Sequence, residues 1–150
     1  MTLVKDLDPI LKKFTNGIYL ETGLASGEST ERALNLNFNK VVTIEIDPDS
    51  VKLAKIKFKN YIKNEKLIII EGDSIEKLEE VLRTYEDVSV IFLDAHDGDH
   101  KNNAPVENEL EIIQQYYKNQ LIIIDDFTKI KNNVSSSDPK RWAKKIITKI

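Results

Sequence analysis

The chain contains no cysteine, so disulfides and thiolate metal sites are excluded outright. No apolar run approaches the roughly 18 residues of a membrane span. The opening residues MTLVKDLDPILKKF lack the basic-then-apolar layout of a secretory signal. These absences make a cytoplasmic setting the expectation and leave a membrane off the expected partners. An excess of either charge is also lacking: the net charge of -3 argues against a general polyanion binder, and so against nucleic acid as a partner. The distribution is uneven, however. From Lys129 onward the basic residues Lys129, Lys131, Lys140, Arg141, Lys144, Lys145 and Lys149 face a single acid, Asp138. A basic tail can touch nucleic acid or an anionic surface, and its ordinary meaning is a solvated helix face.

What is present describes a folded protein. With 41% hydrophobic and 31% charged residues, the chain is globular rather than disordered. Its 150 residues suit one domain, 1–150, that buries roughly two-thirds of its unfolded surface. Short apolar runs, rich in β-branched residues, fall at 17–21 (GIYLE), 41–46 (VVTIEI), 67–71 (LIIIE), 88–93 (VSVIFL) and 121–124 (LIII). Nearly continuous apolar character marks strands covered on both faces.

Helical patterns separate them, at 28 to about 37, 48–61, 74–85 and 106–117. Pro48 suits a first helical turn, and Val51, Ala54, Phe58 and Ile62 recur at helix spacing. Ser74 reads as the N-cap of the third pattern, with Lys77 where a capping box would have Glu. The fourth has Pro105 at its start. After a polar patch at 132–137 (NNVSSS), Trp142, Ile146 and Ile150 can line one face of a last helix. This alternation predicts an α/β fold: a doubly wound sheet of about five parallel strands, with right-handed crossovers and helices on both faces. A sheet ending at its fifth strand exposes an edge, which a second copy of the chain can cover. Ligands of such sheets sit at the carboxyl ends of the strands, where strand order reverses.

The chemistry-bearing residues gather at those ends. The first strand runs into Glu21-Thr22-Gly23-Leu24-Ala25-Ser26-Gly27, followed by a helix. Gly23 permits a tight turn and close approach of a ligand, Gly27 lets the helix start near the strand, and the helix N-terminus offers free N–H groups. The G-x-G-x-x-G fingerprint is absent, because Ala25 stands at its second glycine. Glu45, about twenty residues on, can accept both hydroxyls of a ribose. Asp73 and Ser74 after the third strand can meet an adenine, or simply cap a helix. Asp94 ends the fourth strand, and Asp125 and Asp126 end the fifth. Three neighbouring carboxylates repel one another unless a cation sits among them, and oxygen ligands with room for water suit Mg²⁺. His96, two residues past Asp94, lies within reach of a proton on a substrate hydroxyl. His96, Asp97, Asp99 and His100 (HDGDH) can also be read as a transition-metal set, though an acidic loop is the usual meaning.

These motifs, in this order, resemble the class I S-adenosylmethionine-dependent methyltransferases over about residues 17 to 127. The pattern is most similar to the cation-dependent O-methyltransferases of the catechol and the macrolide or sugar type. The resemblance implies a Rossmann-like fold with S-adenosylmethionine and Mg²⁺ as cofactors. It places Glu21 and Gly23 along the methionine portion and counts Ser26, Gly27 and Asp94 among the cofactor-binding residues. Glu45 would bind the ribose, and Asp73 and Ser74 the adenine. Asp94, Asp125 and Asp126 would be the metal ligands. His96 would be the general base, with Lys101 a second candidate. The family core has seven strands, the last two a hairpin, whereas only about 23 residues follow Phe127 here, so a truncated core is expected. The expected reaction is Mg-assisted O-methylation of a small hydroxylated acceptor, with a second subunit or a large acceptor completing the pocket. The alternatives are a non-catalytic cofactor-binding module or partner subunit, and an NAD-dependent oxidoreductase, since Glu45 suits either cofactor.

Overall fold

A computed structural model describes residues 7–95, 105–116 and 118–125. Five strands, β1 (Ile18–Thr22), β2 (Lys40–Glu45), β3 (Leu67–Glu71), β4 (Val88–Leu93) and β5 (Leu121–Ile124), form one sheet in the order β3-β2-β1-β4-β5. Every pairing is parallel. The chain steps outward from β1 to β3 on one side, then crosses back to β4 and β5 on the other. The order therefore reverses between β1 and β4, as expected for a doubly wound sheet. The predicted strands match to within one residue at each end.

The helices are α1 (Asp8–Leu11), α2 (Glu28–Asn35), α3 (Pro48–Lys57), α4 (Lys59–Lys63), α5 (Ser74–Thr84) and α6 (Val106–Tyr116), with a 3₁₀ turn at Lys12–Phe14. They cover both faces. Leu78, Val81 and Leu82 of α5 and Val106, Leu110 and Ile113 of α6 pack on Leu20, Val42, Ile44, Ile91 and Leu93. On the opposite face, Leu11, Ala33, Leu34, Phe38, Ala54 and Phe58 pack on Tyr19, Val41, Val90 and Phe92. Alternate residues of one strand thus serve the two cores, which is why the central strands read as continuous apolar runs. Each buried aliphatic or aromatic side chain contributes about 1.5–3 kcal/mol. The edge strands β3 and β5 are only partly covered.

Three local expectations are corrected. The helix predicted over 48–61 is two: Phe58, at φ -105 and ψ 21, interrupts it. Phe58 nevertheless keeps the helical spacing of buried positions, because its ring is held against the α2 start. The N-cap of α5 is Asp73, not Ser74: its carboxylate accepts from Ile75 N at 2.8 Å, and Ser74 is the first helical residue. Near the N-terminus, the short helix α1 was not expected. It is tied to α2 by the paired hydrogen bonds that Arg32 donates to both carboxylate oxygens of Asp8, each 2.7 Å.

Candidate functional site

The registers align the strand ends. Ile44, Thr22, Leu93 and Ile124 form one row across β2, β1, β4 and β5. The next row is therefore Glu45, Gly23, Asp94 and Asp125, with Glu71 paired to Glu45. Backbone hydrogen bonds lock it: Gly23 N donates to Ile44 O (2.9 Å), Asp94 N to Thr22 O (2.9 Å), Asp125 N to Leu93 O (3.0 Å) and Gly72 N to Glu45 O (2.9 Å). Four residues singled out in sequence by separate motifs thus share one edge, at the point where strand order reverses.

The loop after β1 needs its glycines. Gly23 sits at φ 84, and a Cβ there would meet the carbonyl oxygen of Asp94 at 2.4 Å. Gly27, at φ 77, immediately precedes α2, and a Cβ would meet the Phe58 ring at 2.8 Å. Between them Ala25 holds a positive φ of 45, a conformation that costs a non-glycine residue about 1–3 kcal/mol. The force that stabilises it is visible. Glu45, almost fully buried, accepts from Leu24 N at 2.8 Å and Ala25 N at 2.9 Å through one carboxylate oxygen. Its other oxygen accepts from Asp47 N at 2.9 Å. Glu45 therefore organises the loop; the oxygen that meets Leu24 and Ala25 has both acceptor sites engaged, and the other keeps one for a further donor. Ser26 is exposed at the loop tip.

Glu21 is fully buried beneath that loop. It accepts from Ser29 Oγ at 2.7 Å and from the Thr30 hydroxyl. The Thr43 hydroxyl faces the same carboxyl from β2 but falls short of hydrogen-bonding geometry. Burial pushes the Glu21 carboxyl up to about 7; the hydroxyls pull it down and Asp94 adds to the rise. Ser29 and Thr30 were not singled out in the sequence. Their signal was the pairing of two hydroxyl residues, in the first turn of a helix, with an acid inside an apolar strand.

Asp94 is half-buried. Burial first, and then the neighbouring Asp125, push its carboxyl up to about 7. The two carboxyls lie close enough for one, when protonated, to hydrogen-bond the other. A cation could relieve the repulsion of these two hard oxygen ligands, and among the described residues no group of three or more metal-ligating side chains gathers. Asp126, the third expected ligand, lies outside the described residues, as do His96, Lys101 and the HDGDH segment beyond Ala95.

A second buried acid was missed. Glu109 of α6 is fully buried, and neither carboxylate oxygen has a hydrogen-bond partner among the described residues. The hydroxyls of Ser74 and Thr22 face it without bonding it, and burial raises its carboxyl above the usual range. Its signal was legible. Val106, Glu109, Leu110 and Ile113 follow the spacing of one helix face, so Glu109 occupies a core position.

No protein-family model matches the chain, and no curated protein matches it significantly. Solved structures do. A methyltransferase from Podospora anserina, bound to S-adenosylhomocysteine, superposes with a TM-score of 0.64 at 22% identity, over 81% of this chain and 50% of that one. An O-methyltransferase from Bacillus cereus, also in complex with S-adenosylhomocysteine, gives 0.65 at 21% identity, over 96% and 66%. The O-methyltransferase TomG from Streptomyces achromogenes, in complex with S-adenosylmethionine, gives 0.64 at 13% identity, over 96% and 65%. This chain therefore spans half the length of the Podospora protein and just under two thirds of the other two. Its fold is that of the class I methyltransferases.

Proposed function

We propose that this chain is an S-adenosylmethionine-dependent methyltransferase domain that methylates an oxygen of a small hydroxylated acceptor with the help of Mg²⁺. The observation that carries the reading is the single row of Glu45, Gly23, Asp94 and Asp125 at the reversal point of the sheet. It joins a glycine loop, a ribose-type acid and a carboxylate pair on one edge, and the solved structures of like fold include methyltransferases with the cofactor or its demethylated product bound.

The residues divide the work. Gly23 lets the loop close against the Asp94 backbone, and Ser26 and Gly27 place the α2 N–H groups at the strand ends. The remaining acceptor site of Glu45 suits a hydroxyl of a ribose. Glu21 holds the loop and α2 together from below. Asp73 and Ser74 border the adenine side. Asp94 and Asp125, with Asp126, would hold the cation, and His96 would take the acceptor proton. S-adenosylmethionine supplies an electrophilic methyl group, and Mg²⁺ would orient and acidify the acceptor hydroxyl. The protein's main contribution is to hold acceptor and methyl donor in line.

Calorimetry with S-adenosylmethionine and S-adenosylhomocysteine, with and without Mg²⁺ and with NAD as control, tests the reading. Micromolar binding of either sulfur compound and none of NAD is expected. Binding of NAD alone would replace the reading with an oxidoreductase. Cofactor binding without turnover on any catechol, sugar or phenolic acceptor would reduce it to a binding module.

A further inference from the structure

The large apolar side chains left exposed are concentrated. Among the described residues they are Ile10, Ile46, Leu53, Ile56 and Tyr61, and four of these five fall between positions 46 and 61. Leu53 and Ile56 are the most exposed, at 68% and 69%. They lie three apart on α3, so they are neighbours on its surface. Val51 and Ala54 are buried on the opposite side of the same helix. The helix is thus apolar on two faces, of which the described residues cover one.

The charge around the uncovered face is equally one-sided. Residues 48–63 contain Lys52, Lys55, Lys57, Lys59 and Lys63 against one acid, Asp49, in a chain whose net charge is -3. On the helical projection Lys52 and Lys57 flank the Leu53–Ile56 ridge on its two sides. Lys57 is engaged: it pairs with Glu31 at 3.1 Å and lies over the Phe58 ring. Lys52, Lys55, Lys59 and Lys63 are exposed and make no ion pair among the described residues.

We propose that the outer face of α3, continued by α4, is a docking surface for an anionic lipid bilayer. Exposed aliphatic tips fringed by exposed lysines, four of them without an ion pair among the described residues, are the composition of an interfacial helix: the tips enter the acyl boundary and the ammonium groups meet the headgroups. Tyr61 is of the amphipathic type favoured at that boundary. Other occupants fit less well. A two-fold copy of the same face would set lysines against lysines. Protein interfaces are enriched in arginine and aromatics and depleted in lysine, whereas this face has no arginine. Nucleic acid would use the lysines but has no use for Leu53 and Ile56. No helix among the described residues is long and apolar enough to cross a membrane, so the contact is peripheral. It revises the expectation of no membrane partner, which rested on the lack of a spanning run. Because Ile46 directly follows Glu45, the docked face borders the strand ends that carry the candidate site. The inference stands whether or not the reaction is methyl transfer.

Co-sedimentation of the full chain with vesicles of phosphatidylcholine, with and without phosphatidylglycerol, tests it. Binding is expected only with phosphatidylglycerol, and is expected to fall steeply as salt is raised. Replacing Lys52 and Lys55 by Gln is expected to weaken binding by roughly fivefold per lysine. Replacing Leu53 and Ile56 by Ser is expected to weaken it by roughly tenfold or more, with thermal stability unchanged because both side chains are exposed. No binding to phosphatidylglycerol vesicles at low salt would overturn the proposal. So would binding that both double variants leave intact, which would assign it to the basic residues beyond Lys129. Preference for a single-stranded oligonucleotide or polyglutamate over the vesicles, lost in the lysine variant, would overturn it in favour of those partners. The lysine variant alters only exposed side chains, so it keeps the placement on α3 testable even where the Leu53 and Ile56 variant fails to fold.

Discussion

Gly23 and Asp94 touch through their backbones: a Cβ on Gly23 would stand 2.4 Å from the carbonyl oxygen of Asp94. The neighbour is backbone in a central strand end and has no easy way to yield. Gly23 also sits at φ 84, where an alanine is strained in its own right. Gly23→Ala is therefore expected to lose at least about 2 kcal/mol of stability, seen as a lower urea midpoint. S-adenosylmethionine binding should fall with it, because the loop and the β4 end are forced apart. A variant as stable as the parent would mean that β1 and β4 do not close together in this way.

Glu21 gives the protein a pH signature. Its folded carboxyl, pushed up to about 7 chiefly by burial, lies above the ordinary 4.5. A raised folded value favours the protonated native state. The stabilising difference is complete below about pH 4.5 and is lost as pH rises through about 7. Over that window the change is about 3 kcal/mol. Glu21→Gln keeps the shape and removes the titration, so its stability should vary less between pH 5 and pH 8. Urea titrations at both pH values measure this, and equal slopes for the two proteins would show that Glu21 does not titrate on folding.

Glu109 is expected to be tolerant where most buried residues are not. Its carboxyl is fully buried without a hydrogen-bond partner among the described residues, so it brings a desolvation cost and no compensating bond. Replacement by an apolar group of similar shape is then neutral or stabilising. Glu109→Met should change stability by no more than about 1 kcal/mol, and increasingly in the stabilising direction as pH rises. Thermal melts at pH 6 and pH 8 test this. A loss of several kcal/mol would reveal a partner for that carboxyl.

The carboxylate pair predicts a metal response. Asp94 and Asp125 repel when both are ionised, so a divalent cation that binds them should stabilise the folded state by mass action. Mg²⁺ should raise the melting temperature of the parent and leave Asp94→Asn/Asp125→Asn unmoved. That double variant should also lose turnover while retaining S-adenosylhomocysteine, measured by calorimetry. An equal thermal shift in both proteins would remove the cation from the mechanism.

Much of this was legible in one dimension. Strands announce themselves by continuous β-branched runs such as VVTIE and VSVIFL, because nearly every residue of a central strand is buried on one face or the other. The motifs Glu21–Gly27, Glu45, Asp73 and Asp94 announced a strand-end site, because a parallel sheet puts all its strand ends on one side. Local chemistry also misled: Ser74 looked like a cap because hydroxyls cap helices, yet Asp73 was one residue earlier and reached Ile75 N.

What the amino-acid order determined by itself was therefore the set of elements, their alternation and the chemistry carried at each strand end, since these depend on residues close in the chain. Tertiary structure alone decided which strands are neighbours, and so that Glu45, Gly23, Asp94 and Asp125 share one row. It decided that Glu45 braces Leu24 and Ala25, that Glu21 has Ser29 and Thr30 while Glu109 has no hydrogen-bond partner among the described residues, and that the described residues leave one apolar face of α3 uncovered. Burial and pairing are properties of groups brought together from distant positions. An acid in an apolar run reads the same in sequence whether the fold satisfies it or strands it.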